Sequence, residues 1–119
     1  MLIASGPATG GSISKQTTAK MMTDSIDWIK QAAGKGNYTH VDATRIAAWG
    51  QSCGGLEAYS NEANENVGSI GIFDSGQLTQ AGTDSVAGRV TKPIFYFIGG
   101  STDIAYANVS ALNYLQLFL

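Results

Sequence analysis

The chain has few of the residues from which disulfides, metal sites and nucleic-acid surfaces are built. It contains one cysteine and one histidine, and only 13 % of its 119 residues are charged. A single cysteine excludes an internal disulfide and a cysteine-based zinc site. The net charge is −2 and lysine and arginine form no run, whereas nucleic-acid-binding proteins cluster basic residues. We therefore expect no nucleic-acid partner, no metal and no cofactor.

Long apolar runs are also missing. No stretch approaches the length of a membrane span. The N-terminal residues MLIASGPATGG have neither the basic region nor the apolar length of a signal peptide. Apolar residues make up 44 % of the chain, which favours a packed core over disorder. At this length we expect one domain, spanning residues 1–119.

Helical and strand patterns alternate along the chain. Met22, Ile26 and Ile29 fall at helical spacing and predict a helix over residues 17–33, ended by Gly34. The remaining patterns predict strands at 2–5, 45–49, 67–73 and 93–98, helices at 56–63 and 104–119, and a short helix within 75–91. This order predicts an α/β fold with right-handed crossovers, specifically a three-layer α/β/α sandwich around a parallel sheet of about four strands.

A serine lies between glycines where the strand at 45–49 meets the next helix. Gly50, Ser52 and Gly54 fit the pattern G-x-S-x-G, which places a nucleophilic serine on a sharp strand-to-helix turn. The glycines are expected because a Cβ at either position would clash in so tight a turn. The N–H of Cys53, at the start of the helix, is a natural donor to a developing oxyanion. The alternative is a glycine-rich turn that serves packing alone, and we expect the Cys53 thiol to be a packing residue.

Two carboxylates follow the downstream strands. Asp103 is the better candidate for an acid that orients a histidine, because it lies beyond a long buried strand in a loop with flexible glycines. Its alternative role is to cap the helix predicted from residue 104. Asp74 is predicted to hold a turn with Ser75 and Gly76.

The segments GQSCGG (50–55) and GGSTDIAY (99–106) resemble the α/β-hydrolase superfamily, and within it secreted serine esterases. The resemblance extends over nearly the whole chain and is specific at these two segments. It implies that Ser52 is the nucleophile, Asp103 the acid and the Cys53 N–H half of the oxyanion hole. It also implies a small-molecule carboxylic ester as substrate and an extracellular location for the full-length parent.

The chain departs from that family in the general base. The family's histidine follows a further strand, whereas the only histidine here, His40, precedes the strand at 45–49. At about 3.3 Å per residue, His40 is expected on the order of 15–20 Å from Ser52. The family's first strands are missing too, so we expect a central fragment with bare sheet edges that favour self-association. Hydrolysis by this chain is expected to be weak or absent.

Two other interpretations remain open at this level. The first is a non-catalytic binding or self-assembling module that kept an α/β-hydrolase-like scaffold, and it is favoured by the missing base. The second is a nucleotide site at GPATGGS (6–12), which is weak because the segment has no P-loop lysine.

Overall fold

The computed structural model describes residues 1–3, 17–77, 79–103 and 106. In chain order the helices and strands of this part are α1 (Ala19–Ala32), β1 (Ile46–Gln51), α2 (Cys53–Ser60), β2 (Val67–Phe73), α3 (Gln80–Ser85) and β3 (Ile94–Phe97). Short 3₁₀ turns lie at Gly36–Tyr38 and Ala87–Arg89. The three described strands form one parallel sheet in the order β1-β2-β3. The predicted α/β class is therefore confirmed, and the sandwich layering stays a prediction.

Several sequence-based boundaries are wrong: β1 ends at Gln51 instead of residue 49, and α2 ends at Ser60 instead of residue 63. Residues 1–3 have no regular secondary structure, so the strand predicted at 2–5 does not begin there, and the described sheet has three strands instead of about four. Helix α2 begins at Cys53, three residues before the predicted start. The helix predicted at 104–119, apart from Tyr106, and the segment 6–12 lie outside the described residues.

Helix α1 follows its sequence pattern closely. The hydroxyl of Thr18 accepts the Met21 N–H at 3.3 Å and caps the first turn. Gly34, just past the C-terminal end, has a φ of +77°, a conformation that glycine adopts without steric cost. Three residues at helical spacing are buried, namely Met22, Ile26 and Ile29. This apolar stripe packs α1 into the core beside α2.

The core lies on one face of the sheet. Ile70 and Ile72 of β2 are completely buried there. They lie beside Ala48 of β1 and beneath Ala58 and Tyr59 of α2. In a strand every second side chain points to the same face, so the residues between them point away from the helices. This alternation places α2 directly behind the strand ends that carry the site.

The other face of the sheet carries an exposed group of aromatic side chains, Trp49, Phe73, Phe95 and Phe97, called here the aromatic face. Trp49, Phe95 and Phe97 are each nearly half exposed. The Phe73 and Phe97 rings stack with centroids 4.6 Å apart, and the Trp49 ring lies 5.6 Å from that of Phe73. Gly71 makes room for the indole, because a Cβ there would lie 2.6 Å from it. No described residue covers this face fully.

Candidate active site

The loops that follow the three strands meet at one edge of the sheet. Ser52 follows β1, Asp74 follows β2, and the loop from Gly99 to Asp103 follows β3. Because the strands are parallel, their carboxyl ends lie side by side, which is where sites form in such sheets. The structure therefore brings all three predicted turns to the same edge.

Ser52 has a strained backbone. Its φ is 55° and its ψ is −120°, a conformation that costs a non-glycine residue about 1–3 kcal/mol and occurs mainly at functional sites. The turn is held because the Ser52 N–H donates to the Phe73 carbonyl at 3.1 Å. The only other described non-glycine residue with positive φ is Asp74, at the end of the neighbouring strand. Both strained positions thus belong to this edge.

The Ser52 side chain does not serve the helix that it precedes. A serine at a helix N-cap commonly accepts an N–H from the first turn. Ser52 occupies the N-cap of α2, yet its side chain makes no capping hydrogen bond, and the residue is exposed. The strain is therefore not offset by a cap, and the residue is exposed to solvent.

The glycine pattern at this turn differs from the predicted one. A Cβ at Gly50 would fall on the carbonyl of Gly54, as expected. A Cβ on Gly54 would meet nothing within 4 Å, so the prediction for that position is wrong. The crowded glycine is Gly55, where a Cβ would lie 2.5 Å from the Ser75 side chain. The cause is the rotation of α2, which turns Gly55 toward β2 and Gly54 away from it.

Cys53 is the first residue of α2, a position whose N–H has no partner within the helix. That N–H is therefore placed beside Ser52 at the positive end of the helix dipole. The thiol is free and exposed, so the prediction of a packing residue is wrong. The reason is its position: Cys53 begins α2 at the carboxyl end of the sheet, where it is exposed.

Ser75 is a site residue that the sequence did not indicate. It is 7 % exposed, and its hydroxyl donates to the Ser52 carbonyl at 2.5 Å. The Gly55 N–H donates to the same carbonyl at 3.0 Å. No motif marks this serine; the only sequence signal is the third glycine of GQSCGG, which provides the space for it.

The loop from Gly99 to Asp103, called here the acid loop, is held by a hydrogen-bond donor that two carboxylates share. The Gly99 N–H lies 2.7 Å from Asp74 Oδ1 and 3.1 Å from Asp103 Oδ2. The Asp103 N–H donates to the Gly100 carbonyl at 2.8 Å, which tightens the loop. Asp74 lies in the bend that follows β2, and its carboxylate also reaches across to the acid loop. The capping role considered for Asp103 concerns a helix outside the described residues.

His40 lies at the opposite end of β1. It is exposed and precedes the strand, whereas Ser52 follows it. An open groove of about 950 Å³ runs along the free edge of β1, from His40 to Gly50 and Gly54 of the turn. Its walls include the apolar side chains of Met22 and Ile26. The full length of the strand thus separates the imidazole from the serine.

The described residues contain neither a cluster of metal-ligating side chains nor a helix that could span a membrane. No three histidine, cysteine, aspartate or glutamate side chains among them are grouped so as to hold a metal ion. In the same ranges, no helix combines the length and the apolar character needed to cross a membrane.

Comparison with known proteins adds no family to this description. No protein-family model matches the chain, and neither the curated protein sequences nor the solved structures gave a match.

Proposed function

We propose that Ser52 is the nucleophile of a serine hydrolase that acts on small carboxylic esters. The observation that carries this proposal is the strained, uncapped and exposed Ser52 at the turn between β1 and α2. Ser52 Oγ attacks the acyl carbon, and its proton passes to a base. The carbonyl oxygen becomes an oxyanion, which accepts the Cys53 N–H near the positive end of α2.

The second half of the reaction restores the serine. The tetrahedral species collapses, the C–O bond to the alcohol breaks, and the leaving alkoxide takes the proton from the base. Water then attacks the acyl-Ser52 ester by the same route and releases the carboxylic acid. Asp103 is the group that orients the base, because its loop lies at the same edge as Ser52.

The base is expected to be a histidine outside these 119 residues. His40 is at the wrong end of β1, and Asp74 and Asp103 are carboxylates engaged with Gly99. A histidine from a partner chain or from the rest of a longer protein would complete the site. With the chain alone we expect slow acylation, because only orientation and one oxyanion donor assist it. The resemblance to secreted esterases also favours an extracellular parent protein.

The test is covalent labelling of the purified chain with a fluorophosphonate probe, beside a short p-nitrophenyl ester assay. Ser52→Ala is expected to abolish labelling. Cys53→Ala is the necessary control, because Cys53 is an adjacent exposed thiol that esters also acylate. Labelling that survives Ser52→Ala, or a folded wild-type chain that takes no label even when free imidazole is supplied as the base, would overturn the proposal.

A second candidate, a self-assembling or binding module, is favoured by two surfaces. The aromatic face leaves Trp49, Phe95 and Phe97 nearly half exposed. The edge of β1 away from β2 has no partner strand among the described residues and borders the open groove. Exposed apolar patches and free strand edges favour association. Sedimentation velocity over a concentration series tests this candidate, and a monomer at every concentration would contradict its self-assembling form.

A further inference from the structure

The peptide group between Ser52 and Cys53 is held from one side. Its carbonyl accepts two hydrogen bonds, from Ser75 Oγ at 2.5 Å and from the Gly55 N–H at 3.0 Å. Its N–H belongs to Cys53. In a planar trans peptide the C=O and N–H bonds point in opposite directions, and the described residues contain no cis peptide. The orientation of the carbonyl therefore fixes the orientation of the Cys53 N–H.

The two hydrogen bonds on the Ser52 carbonyl help to hold the strained backbone of Ser52. A ψ of −120° with a φ of 55° lies outside the well-populated regions, and such a conformation persists only where the surroundings determine it. The ψ angle of Ser52 sets how this peptide plane is turned. Without the Ser75 hydroxyl, only the Gly55 N–H would hold the carbonyl. The plane could then rotate toward a less strained angle, and the Cys53 N–H would rotate with it.

The fold makes space for this donor. Ser75 is 7 % exposed, and its side chain fills the place where a Cβ on residue 55 would be. The glycine at that position is not needed for its backbone conformation, because Gly55 lies inside α2. In a helix, alanine is favoured over glycine by about 1 kcal/mol. Gly55 thus lowers the stability of the helix, and its missing side chain leaves the space that the Ser75 hydroxyl occupies.

We propose that Ser75 is a positioning residue that aims the Cys53 N–H at the oxyanion formed beside Ser52. It acts through the shared peptide group and does not touch the substrate. The two hydrogen bonds on the carbonyl also polarise the amide, which strengthens its N–H as a donor. The catalytic meaning of this role rests on the proposed function, whereas the orientation of the N–H does not.

The chain offers a direct probe, because Cys53 is its only cysteine. Protein labelled with ¹⁵N-cysteine gives a single backbone amide signal in a ¹H–¹⁵N spectrum, and that signal reports on the Cys53 N–H alone. We expect Ser75→Ala to move this signal by more than its linewidth. The matched control is Ser60→Ala, which removes a hydroxyl bonded to the Leu56 carbonyl at 2.9 Å at the far end of α2. The control is expected to leave the signal in place.

The kinetic readout separates positioning from general support of the fold. For Ser75→Ala we expect the maximal rate of fluorophosphonate labelling to fall about tenfold or more, as for the weakening of an oxyanion donor. The probe concentration at half-maximal rate is expected to stay unchanged. Gly55→Ala is the second variant, because the added methyl group displaces the Ser75 hydroxyl without removing it. We again expect a lower maximal labelling rate and an unchanged probe concentration at half-maximal rate.

The outcomes distinguish this proposal from the proposed function. An unmoved Cys53 signal in both variants overturns the proposal, whether or not Ser52 is labelled. A moved signal with an unchanged labelling rate also overturns it, and the proposed function then stands. If the wild-type chain takes no label even with added imidazole, the proposed function fails, and the Cys53 signal alone decides whether Ser75 orients the amide.

Discussion

Asp74 and Asp103 share one hydrogen-bond donor, the Gly99 N–H, at 2.7 Å and 3.1 Å. The two carboxylates come from loops that follow neighbouring strands, so a single amide joins the end of β2 to the end of β3. A Cβ on Gly99 would lie 2.6 Å from Asp103 Oδ2, which makes this glycine necessary for the approach. Asp74 thus holds the loop that presents Asp103.

The two aspartates are expected to differ in chemical rescue. Free imidazole can replace a missing histidine base, and we expect it to accelerate fluorophosphonate labelling of Ser52. Asp103→Asn should remove most of this acceleration, because the carboxylate that orients and stabilises an imidazolium is lost. Asp74→Asn should keep it, because its amide oxygen still accepts the Gly99 N–H. Rescue that fails in Asp74→Asn and persists in Asp103→Asn would assign the acid to Asp74.

Gly50 and Gly54, the two glycines of the G-x-S-x-G turn, are expected to respond differently to substitution by alanine. Gly50→Ala places a methyl group on the Gly54 carbonyl, and we expect it to lower the free energy of unfolding by about 1–3 kcal/mol and to abolish labelling. Gly54→Ala points into open space within α2, so it should raise stability by up to about 1 kcal/mol and preserve labelling. Urea unfolding and the labelling assay measure both effects. Equal losses in the two variants would show that the turn crowds both glycines.

Ser52→Gly is expected to stabilise the protein while it removes the nucleophile. Glycine adopts a positive φ without the cost paid by Ser52, and we expect a gain of about 1 kcal/mol, the strain relieved less the added entropy of the unfolded chain. The same change at Ser25, in the middle of α1, should cost about 0.5–1 kcal/mol. Urea midpoints compare the two. A loss of stability in Ser52→Gly would mean that the backbone there is not strained.

Tyr96→Phe is expected to stabilise the core. The Tyr96 hydroxyl is buried and has no hydrogen-bond partner in the described structure, and a buried unsatisfied polar group costs about 1–3 kcal/mol. We expect the free energy of unfolding to rise by about 1 kcal/mol. Tyr38→Phe, at a half-buried surface position, is the control and should change it by less than about 0.5 kcal/mol. A destabilised Tyr96→Phe would reveal a partner for the hydroxyl.

The same residue predicts an alkaline pH dependence. Burial raises the pKa of Tyr96 above its ordinary value. Above a pH of about 10 the unfolded chain therefore loses the phenol proton while the folded chain keeps it, so stability falls as the pH rises. Below that pH the phenol is neutral in both states, and Tyr96 does not reduce the free energy of unfolding by ionising. The stability of Tyr96→Phe should therefore fall less at alkaline pH than that of the wild-type protein. Urea unfolding at a series of pH values measures this, and identical pH profiles would contradict the prediction.

Phe95→Lys is expected to reduce self-association. Phe95 lies on the aromatic face, is nearly half exposed and faces the Trp49 ring at a centroid distance of 5.9 Å. A charge there breaks the apolar patch. Ala63→Lys adds the same charge at an exposed position outside the sheet and is the control. Sedimentation velocity should show less association in the first variant only; equal behaviour would exclude this face as the contact.

Much of the fold was predictable because it depends on local patterns. The helical spacing of Met22, Ile26 and Ile29 placed α1, and the apolar run at 67–73 placed β2 at its observed bounds. The G-x-S-x-G pattern placed Ser52 at a strand-to-helix turn. Helix boundaries are harder to predict, because α2 starts among glycines, whose helix propensity is low.

By itself, the sequence determined the order of the elements and the position of the candidate nucleophile, because periodicity and the steric demands of a tight turn are local. Only the tertiary structure decided that Gly55, and not Gly54, is crowded, and that Ser75 holds the Ser52 carbonyl. It also joined Asp74 to the acid loop through Gly99. These contacts connect residues twenty or more positions apart, which local sequence patterns do not relate, and they exist only because parallel pairing brings the three strand ends together.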